Sequence, residues 1–386
     1  AGIASVFYAL FSPTPTSLLP FNAAVHALSA CIVMLILRHF FSAVPAVIGA
    51  LVFSLNPTSF EWVAQIHRDG VFILGNLLLI FGVLLFTGGV ESESKSNTSF
   101  WVFGLLISVL GTTLIWVARP YWVQVALVTL MLLITIMMLV FFFQGKKADR
   151  KIVFFVTMLL ALVVFQLWLV RFHTPYEPVN IPVSQAGSQA GSQAGSQAGS
   201  QAGSQAGSQA GISTDNAISL IWQRSSWLPE AVEGRFFRIA QARYGAISQG
   251  GHSLTDAERQ LNSVFAIAAY TPRALQLGLL SPFPNLWVGE GSTPAMTMAR
   301  RVAGGATVLF YLCLIGLLLG LWRMRGNPSL WLMVGMCCIG ILVYSVTYPN
   351  IGTLMRYRYG FYMLLIGFGS ATLIDFMMNR RQSSRK

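Results

Sequence analysis

The stretch Asn56-Pro57-Thr58-Ser59-Phe60-Glu61-Trp62-Val63-Ala64-Gln65-Ile66-His67-Arg68-Asp69-Gly70 sets Glu61, His67, Arg68 and Asp69 between two strongly apolar runs. Ionisable groups pressed against hydrocarbon are costly, so a chain that retains them there is expected to use them. Glu61 and Asp69 are eight residues apart, near two helical turns, so on a helix both can face one side. A carboxylate at an apolar boundary is pushed toward its neutral form by desolvation and back by a neighbouring cation such as Arg68. Those features suit a general base or a metal ligand. The competing structural reading pairs Asp69 with Arg68, or makes it the cap of the helix that follows.

Three arginines, Arg119, Arg356 and Arg358, form a second group. A guanidinium holds phosphate through several fixed donors, so these residues suit the head group of a lipid phosphate. Tyr121 and Tyr357 stand beside them, and His67 and Arg68 join the candidate phosphate ligands. The alternative is ordinary snorkelling to a membrane interface within an aromatic belt.

These residues need a scaffold, and the composition says which. The 386 residues are 55% hydrophobic and 10% charged, against roughly 25% charged in soluble domains. Several apolar runs reach the ~20 residues needed to cross a bilayer as a helix. The fold class is therefore all-α: a polytopic helical membrane protein with nine expected spans. They run near 18–36, 44–55, 71–86, 100–117, 121–143, 152–170, 302–321, 330–346 and 359–377. The net charge of +12 reports topology here and not nucleic acid. Cys31, Cys313, Cys337 and Cys338 all sit in apolar runs, which argues against a disulfide framework or zinc site. Gly316-Leu-Leu-Leu-Gly320 fits a small-xxx-small packing motif.

Residues 1–171 are expected to form an N-terminal bundle of six spans, 172–301 an outer region, and 302–386 a C-terminal bundle of three spans with a basic tail. Arg38-His39, Gly88–Ser99, Gly145–Lys151, Arg323–Gly326 and the tail fall on one side of the membrane, and most are basic. The positive-inside rule makes that side cytoplasmic. Glu61–Asp69, Arg119-Pro120, the long region and Tyr348–Arg358 then face outward. This places Ala1 outside, with one more span or a cleaved signal expected upstream.

In the outer region, Ser184–Gly211 is seven tandem copies of Ser-Gln-Ala-Gly. Small polar residues bury too little apolar surface to offset ordering, so a flexible loop is expected. Beyond it, Leu228–Tyr244 places Leu228, Val232, Phe236, Ile239 and Ala240 on one face, with Arg235, Arg238 and Arg243 mostly elsewhere. Thr255-Asp256-Ala257-Glu258 has capping-box spacing and predicts a helix through Ala269. Thr271-Pro272 predicts a second, shorter helix over Arg273–Leu280. Such helices either lie along the membrane surface or pack on one another as a small cap.

Phe21-Asn22-Ala23-Ala24-Val25-His26-Ala27-Leu28-Ser29-Ala30, Asn56-Pro57, Arg68-Asp69-Gly70, Arg119-Pro120-Tyr121 and Met355-Arg356-Tyr357-Arg358-Tyr359 together resemble the membrane glycosyltransferases of the GT-C class. The likeness is to the branch near protein O-mannosyltransferases and the lipid A aminoarabinose transferase. It implies transfer of a sugar from a polyprenyl-phosphate donor at the outer face of a bacterial inner membrane. The acceptor is a glycan, a lipid or a protein. The resemblance puts Asp69, with Glu61, in the catalytic cavity and the arginines on donor phosphate. Its partners are the polyprenyl-phosphate sugar lipid, membrane lipids and the acceptor, with no nucleic acid. A divalent metal, Mg or Mn, is the one cofactor expected to assist. In that class the main catalytic carboxylate lies in the first outer loop, which this chain begins too late to contain in full. An O-antigen polymerase or ligase, and a non-enzymatic transporter or membrane-complex subunit, are the rival readings.

Overall fold

The computed structural model describes residues 9–10, 14–57, 59, 63, 68–88, 98–143, 220–250, 253–290 and 294–383. Among them are ten α-helices and no strand. In chain order these are α1 (Leu19–Arg38), α2 (Ala43–Ser54), α3 (Asp69–Gly88), α4 (Thr98–Ala118), α5 (Pro120–Phe143), α6 (Glu230–Ser248), α7 (Val264–Leu280), α8 (Pro294–Arg323), α9 (Pro328–Thr347) and α10 (Ile351–Ser383). The expected sixth span, the loop Gly145–Lys151 and the Ser-Gln-Ala-Gly repeat lie outside the described residues.

Among the described residues, five segments are long and apolar enough to cross a membrane: Thr16–Arg38, Pro120–Met138, Arg300–Arg323, Pro328–Thr347 and Ile351–Arg380. They mark the chain as an integral helical membrane protein. The apolar stretches Ala43–Ser54, Asp69–Leu85 and Val102–Ala118 are shorter. At ~1.5 Å per residue, α2 measures only about 18 Å against a hydrocarbon core of ~30 Å. The described helices therefore include fewer full-length spans than the hydropathy runs suggest.

The chain divides into two units. The first holds residues 1–173, 282–341 and 357–386. Its centre is α10, where every residue from Arg358 to Thr372 is buried. A helix covered all round needs neighbours on every side, and small residues admit them. A Cβ at Gly367 would come within 3.0 Å of the Gly49 carbonyl on α2, and one at Gly360 within 3.0 Å of Ile73 on α3. Gly340 on α9 lies against the Phe361 ring. Gly316 and Gly320 of α8 both face α10, at Gly369 and at Phe368 and Thr372, so the small-xxx-small motif is a packing seam. Across α3 and α4 the backbones meet at Gly75 and Gly111 in the same way.

The helix α10 begins earlier than expected. Asn350 caps it: its side-chain Oδ1 accepts from Thr353 N at 3.3 Å and its carbonyl from Leu354 N at 2.9 Å. Residues 351–358, read from sequence as loop, are thus helical.

The second unit holds residues 174–281 and 342–356. Its described part buries Phe237, Ala240 and Tyr244 of α6 and Val264, Ile267, Tyr270, Ala274 and Leu277 of α7, with the Phe237 ring edge to face on Trp222. The face expected to be apolar is not the one that turns inward: Val232 is 40% exposed and Leu228, Phe236 and Ile239 are half-buried, with only Ala240 of the five buried. Arg243, expected on the polar face, is fully buried. Its Nη1 donates to the Val346 carbonyl at 3.2 Å and its Nη2 to the Asp256 carbonyl at 2.7 Å, with the Tyr270 ring 4.9 Å away.

No helix opens at Thr255. Asp256 takes a left-handed φ of 54°, which Asp tolerates better than most residues. Its carboxylate turns away from capping to accept from Arg273 Nε at 2.9 Å and Tyr270 Oη at 3.1 Å. Ser263 caps instead, its Oγ accepting from Ala266 N at 3.1 Å. One helix then runs through Pro272 to Leu280, where two had been expected.

Burial alone would raise the Asp256 carboxyl, but the hydrogen bond and charge of Arg273, with the Tyr270 hydroxyl, hold it below the ordinary carboxylate value. A depressed folded value contributes stability above the unfolded pKa of about 3.9 and loses it as pH falls through the lower folded value. Asp256→Asn keeps a residue suited to the left-handed backbone. The variant is expected to unfold at lower temperature than wild type at pH 7, with the gap closing as pH drops toward 3. Tryptophan-fluorescence melts in detergent measure this, and a pH-independent gap would contradict the assignment.

Candidate functional site

Pro120 organises the first half of the site. Without an N–H it cannot continue α4, and its fixed φ suits the first position of α5. Arg119 is left between the two helices. Its N donates to Ile115 O at 2.7 Å and its carbonyl accepts from Trp122 N at 2.9 Å. The side chain is thereby turned inward and buried.

There Arg119 Nη2 donates to Asp69 Oδ1 in a buried ion pair. The guanidinium lies 4.7 Å from the Phe72 ring and 4.0 Å from the Tyr357 ring. Aromatic faces attract a desolvated cation, so the rings and the carboxylate act on Arg119 together. Asp69 stands in the first turn of α3, where the helix dipole favours an anion. One turn on, Trp122 Nε1 donates to Asn76 Oδ1 at 3.0 Å, and Asn76 Nδ2 to the Phe72 carbonyl at 2.8 Å. Phe72 packs edge to face on both Trp122 and Phe361, and Trp122 lies tilted against Phe361.

The other half joins α1, α2 and α10. Tyr359 Oη donates to the Phe53 carbonyl at 2.8 Å, and Asn56 Nδ2 lies 3.2 Å from Met363 Sδ. The His26 ring stacks on Phe53 at 5.5 Å, with Nε2 3.2 Å from the Ser54 carbonyl. Asn22 Nδ2 donates to the Val63 carbonyl at 3.1 Å. Arg358 is fully buried, its guanidinium 4.4 Å from the Tyr362 ring.

The structure thus brings Arg119 into direct contact with both Asp69 and Tyr357. Asp69 is paired with Arg119 and not with its neighbour Arg68, which is exposed. Tyr121 is 56% exposed, away from this contact. Arg356 belongs to the second unit and is half-buried. Two positions apart on one helix, Arg356 and Arg358 are rotated by about 200° and project to different sides. Glu61 and His67 lie outside the described residues.

Sequence reasoning missed Asn76, Trp122 and Tyr362, and had Tyr359 only as the end of the Met355–Tyr359 motif. The first was visible as a lone amide inside an apolar helix. The others look like ordinary aromatic filling until their partners are known.

Among the described residues no three His, Cys, Asp or Glu stand together as a metal site. The guanidinium on Asp69 also opposes a second cation there, so no step below is routed through a metal. Chemically, the arrangement stores a carboxylate and a guanidinium against each other in an apolar setting. An arriving anion can compete for Arg119 and release the carboxylate. No family model, curated protein or solved structure matches this chain.

Removing one partner of a buried pair leaves an uncompensated charge, at a cost of about 3–5 kcal/mol. Arg119→Met alone is therefore expected to destabilise more than the double variant Asp69→Asn/Arg119→Met. A double-mutant cycle on melting in detergent measures the coupling, and strictly additive losses would mean that the pair contributes nothing.

Proposed function

We propose that the chain is a membrane glycosyltransferase that moves a sugar from a polyprenyl-phosphate donor to a glycan, lipid or protein acceptor. The observation that carries the reading is the buried Asp69–Arg119 pair, framed by Phe72 and Tyr357 within a membrane-embedded bundle. It supplies an anion-seeking guanidinium and a carboxylate at one place, and the bilayer supplies the solvent for a polyprenyl tail. The residues that make the pair are among those behind the resemblance to the GT-C class.

In this reading the donor phosphate draws Arg119 off Asp69. Charge-assisted bonds from Arg119 and Arg358 hold the phosphate oxygens and stabilise the negative charge that grows there as the sugar departs. Arg356 projects to a different side of α10 and is not asked to share that ligand. Asp69, no longer paired, takes the proton of the acceptor hydroxyl. The acceptor oxygen forms a bond to the anomeric carbon as the carbon–oxygen bond to phosphate breaks. The electron pair leaves with polyprenyl phosphate, and the anomeric centre inverts. The basic linkers support an active site on the non-cytoplasmic side, and the resemblance to the GT-C class supports the periplasmic face of a bacterial inner membrane.

Glycolipid analysis of cells that carry Asp69→Asn, at matched protein level, tests the proposal. Polyprenyl-phosphate sugar is expected to accumulate at least tenfold while the glycosylated product is lost, since the base is removed and the donor site is kept. An unaltered lipid profile would refute it and favour a transport or assembly role.

A further inference from the structure

Tyr362 follows Arg358 by one turn of α10, so the two side chains share one face of the helix. Both lie in a segment long and apolar enough to cross the membrane, and only 2% of Arg358 and 4% of Tyr362 is exposed. An arginine buried in a spanning helix is costly and marks a functional site by default. Its guanidinium sits 4.4 Å from the centre of the Tyr362 ring, and the Phe310 ring of α8 packs edge to face on the same ring at 5.8 Å.

A phenylalanine at this position would make both ring contacts. It would lack only the hydroxyl, which those contacts leave without a partner. Among the described residues nothing is hydrogen-bonded to Tyr362 Oη. Leaving a buried hydroxyl unsatisfied costs stability. Other buried donors of the bundle are satisfied, Tyr359 Oη by the Phe53 carbonyl and Trp122 Nε1 by Asn76 Oδ1.

The chemistry on both sides of the hydroxyl narrows what would satisfy it. A guanidinium has donors and no acceptor, so Arg358 cannot receive the hydroxyl proton. Arg358 and Tyr362 present donors side by side, and a phosphate group, anionic and able to accept several bonds, answers both. Location narrows the source. Tyr311, half-buried on α8, lies within electrostatic reach of Arg358. Beside it the exposed residues of α8 are Val308, Leu309, Leu312, Ile315, Leu318 and Leu319, all apolar. That flank admits a phosphate carried on a hydrocarbon chain and disfavours a free, fully hydrated one.

We propose that Tyr362 Oη and the Arg358 guanidinium jointly hold the phosphate of a lipid monophosphate that enters alongside α8. The ligand class rests on the donor reading above; the hydroxyl as a ligand and the side of entry go beyond it. The hydroxyl then destabilises the ligand-free protein and strengthens binding of the lipid, so one substitution moves the two quantities in opposite directions.

The test compares the full chain with Tyr362→Phe, both purified in detergent. Melting is followed by tryptophan fluorescence, and binding by calorimetric titration with farnesyl phosphate, a short polyprenyl phosphate. The ligand-free variant is expected to melt at a higher temperature than wild type and to bind farnesyl phosphate about tenfold more weakly, as loss of one hydrogen bond to a charged group implies. Inorganic phosphate at the same concentration is expected to leave the titration unchanged. Equal affinity in the two proteins would overturn the role of the hydroxyl and leave the donor reading standing. Failure of wild type to bind farnesyl phosphate would overturn both. A variant that melts lower would mean that the hydroxyl is already satisfied within the fold, and displacement by inorganic phosphate would mean that the site does not select a lipid; either result sinks the proposal.

Discussion

A charged pair held inside an apolar bundle sets the terms for the first unit. Neither Asp69 nor Arg119 can be stripped of water alone without a cost that rivals the stability of a whole domain. Each must therefore be delivered to the other, and the helices that carry them are constrained accordingly. Pro120 breaks the chain where Arg119 has to turn inward, and the start of α3 places Asp69 where a helix dipole already favours an anion. The rings of Phe72 and Tyr357 occupy the faces of the guanidinium that the carboxylate leaves open. Tyr357 comes from α10, so the central helix is tied to the pair by a contact that ordinary hydrophobic packing would not require.

Bilayer solvation explains the rest of the unit. In hydrocarbon there is no hydrophobic gain from pressing one apolar helix on another, so close backbone approach and internal hydrogen bonds decide the packing. The glycines on both sides of α10 and the Gly75–Gly111 contact serve the first requirement. Asn76 with Trp122, and Tyr359 with the Phe53 carbonyl, serve the second. The second unit holds a buried charge of its own. Its buried Arg243 donates to two backbone carbonyls, which binds the Asp256 turn to the last turn of α9.

Much of this was readable in the chain. Hydropathy located the apolar stretches of the described spanning helices to within a few residues except at α10, which begins at Ile351, because a run of apolar side chains has few other stable environments. Asp69, Arg119, Tyr357 and Arg358 stood out because charge and aromaticity at apolar boundaries are rare. The cap at Asn350 and the single helix through Pro272 were not readable. Local start signals at Thr255 and Thr271 were both genuine patterns, yet Asp256 found better partners in Tyr270 and Arg273 than in its own backbone. Tertiary hydrogen bonds outweighed a capping preference worth about 1 kcal/mol.

Composition and hydrophobic patterning determined by themselves that this chain is helical and belongs in a membrane, since these depend on local properties summed along the sequence. They also singled out the residues able to carry charge or bind phosphate. Which carboxylate meets which guanidinium was decided only in three dimensions. Arg68 is adjacent to Asp69 and loses it to Arg119, fifty residues further along the chain, because burial rewards the partner that a helix break aims inward over the one left facing out.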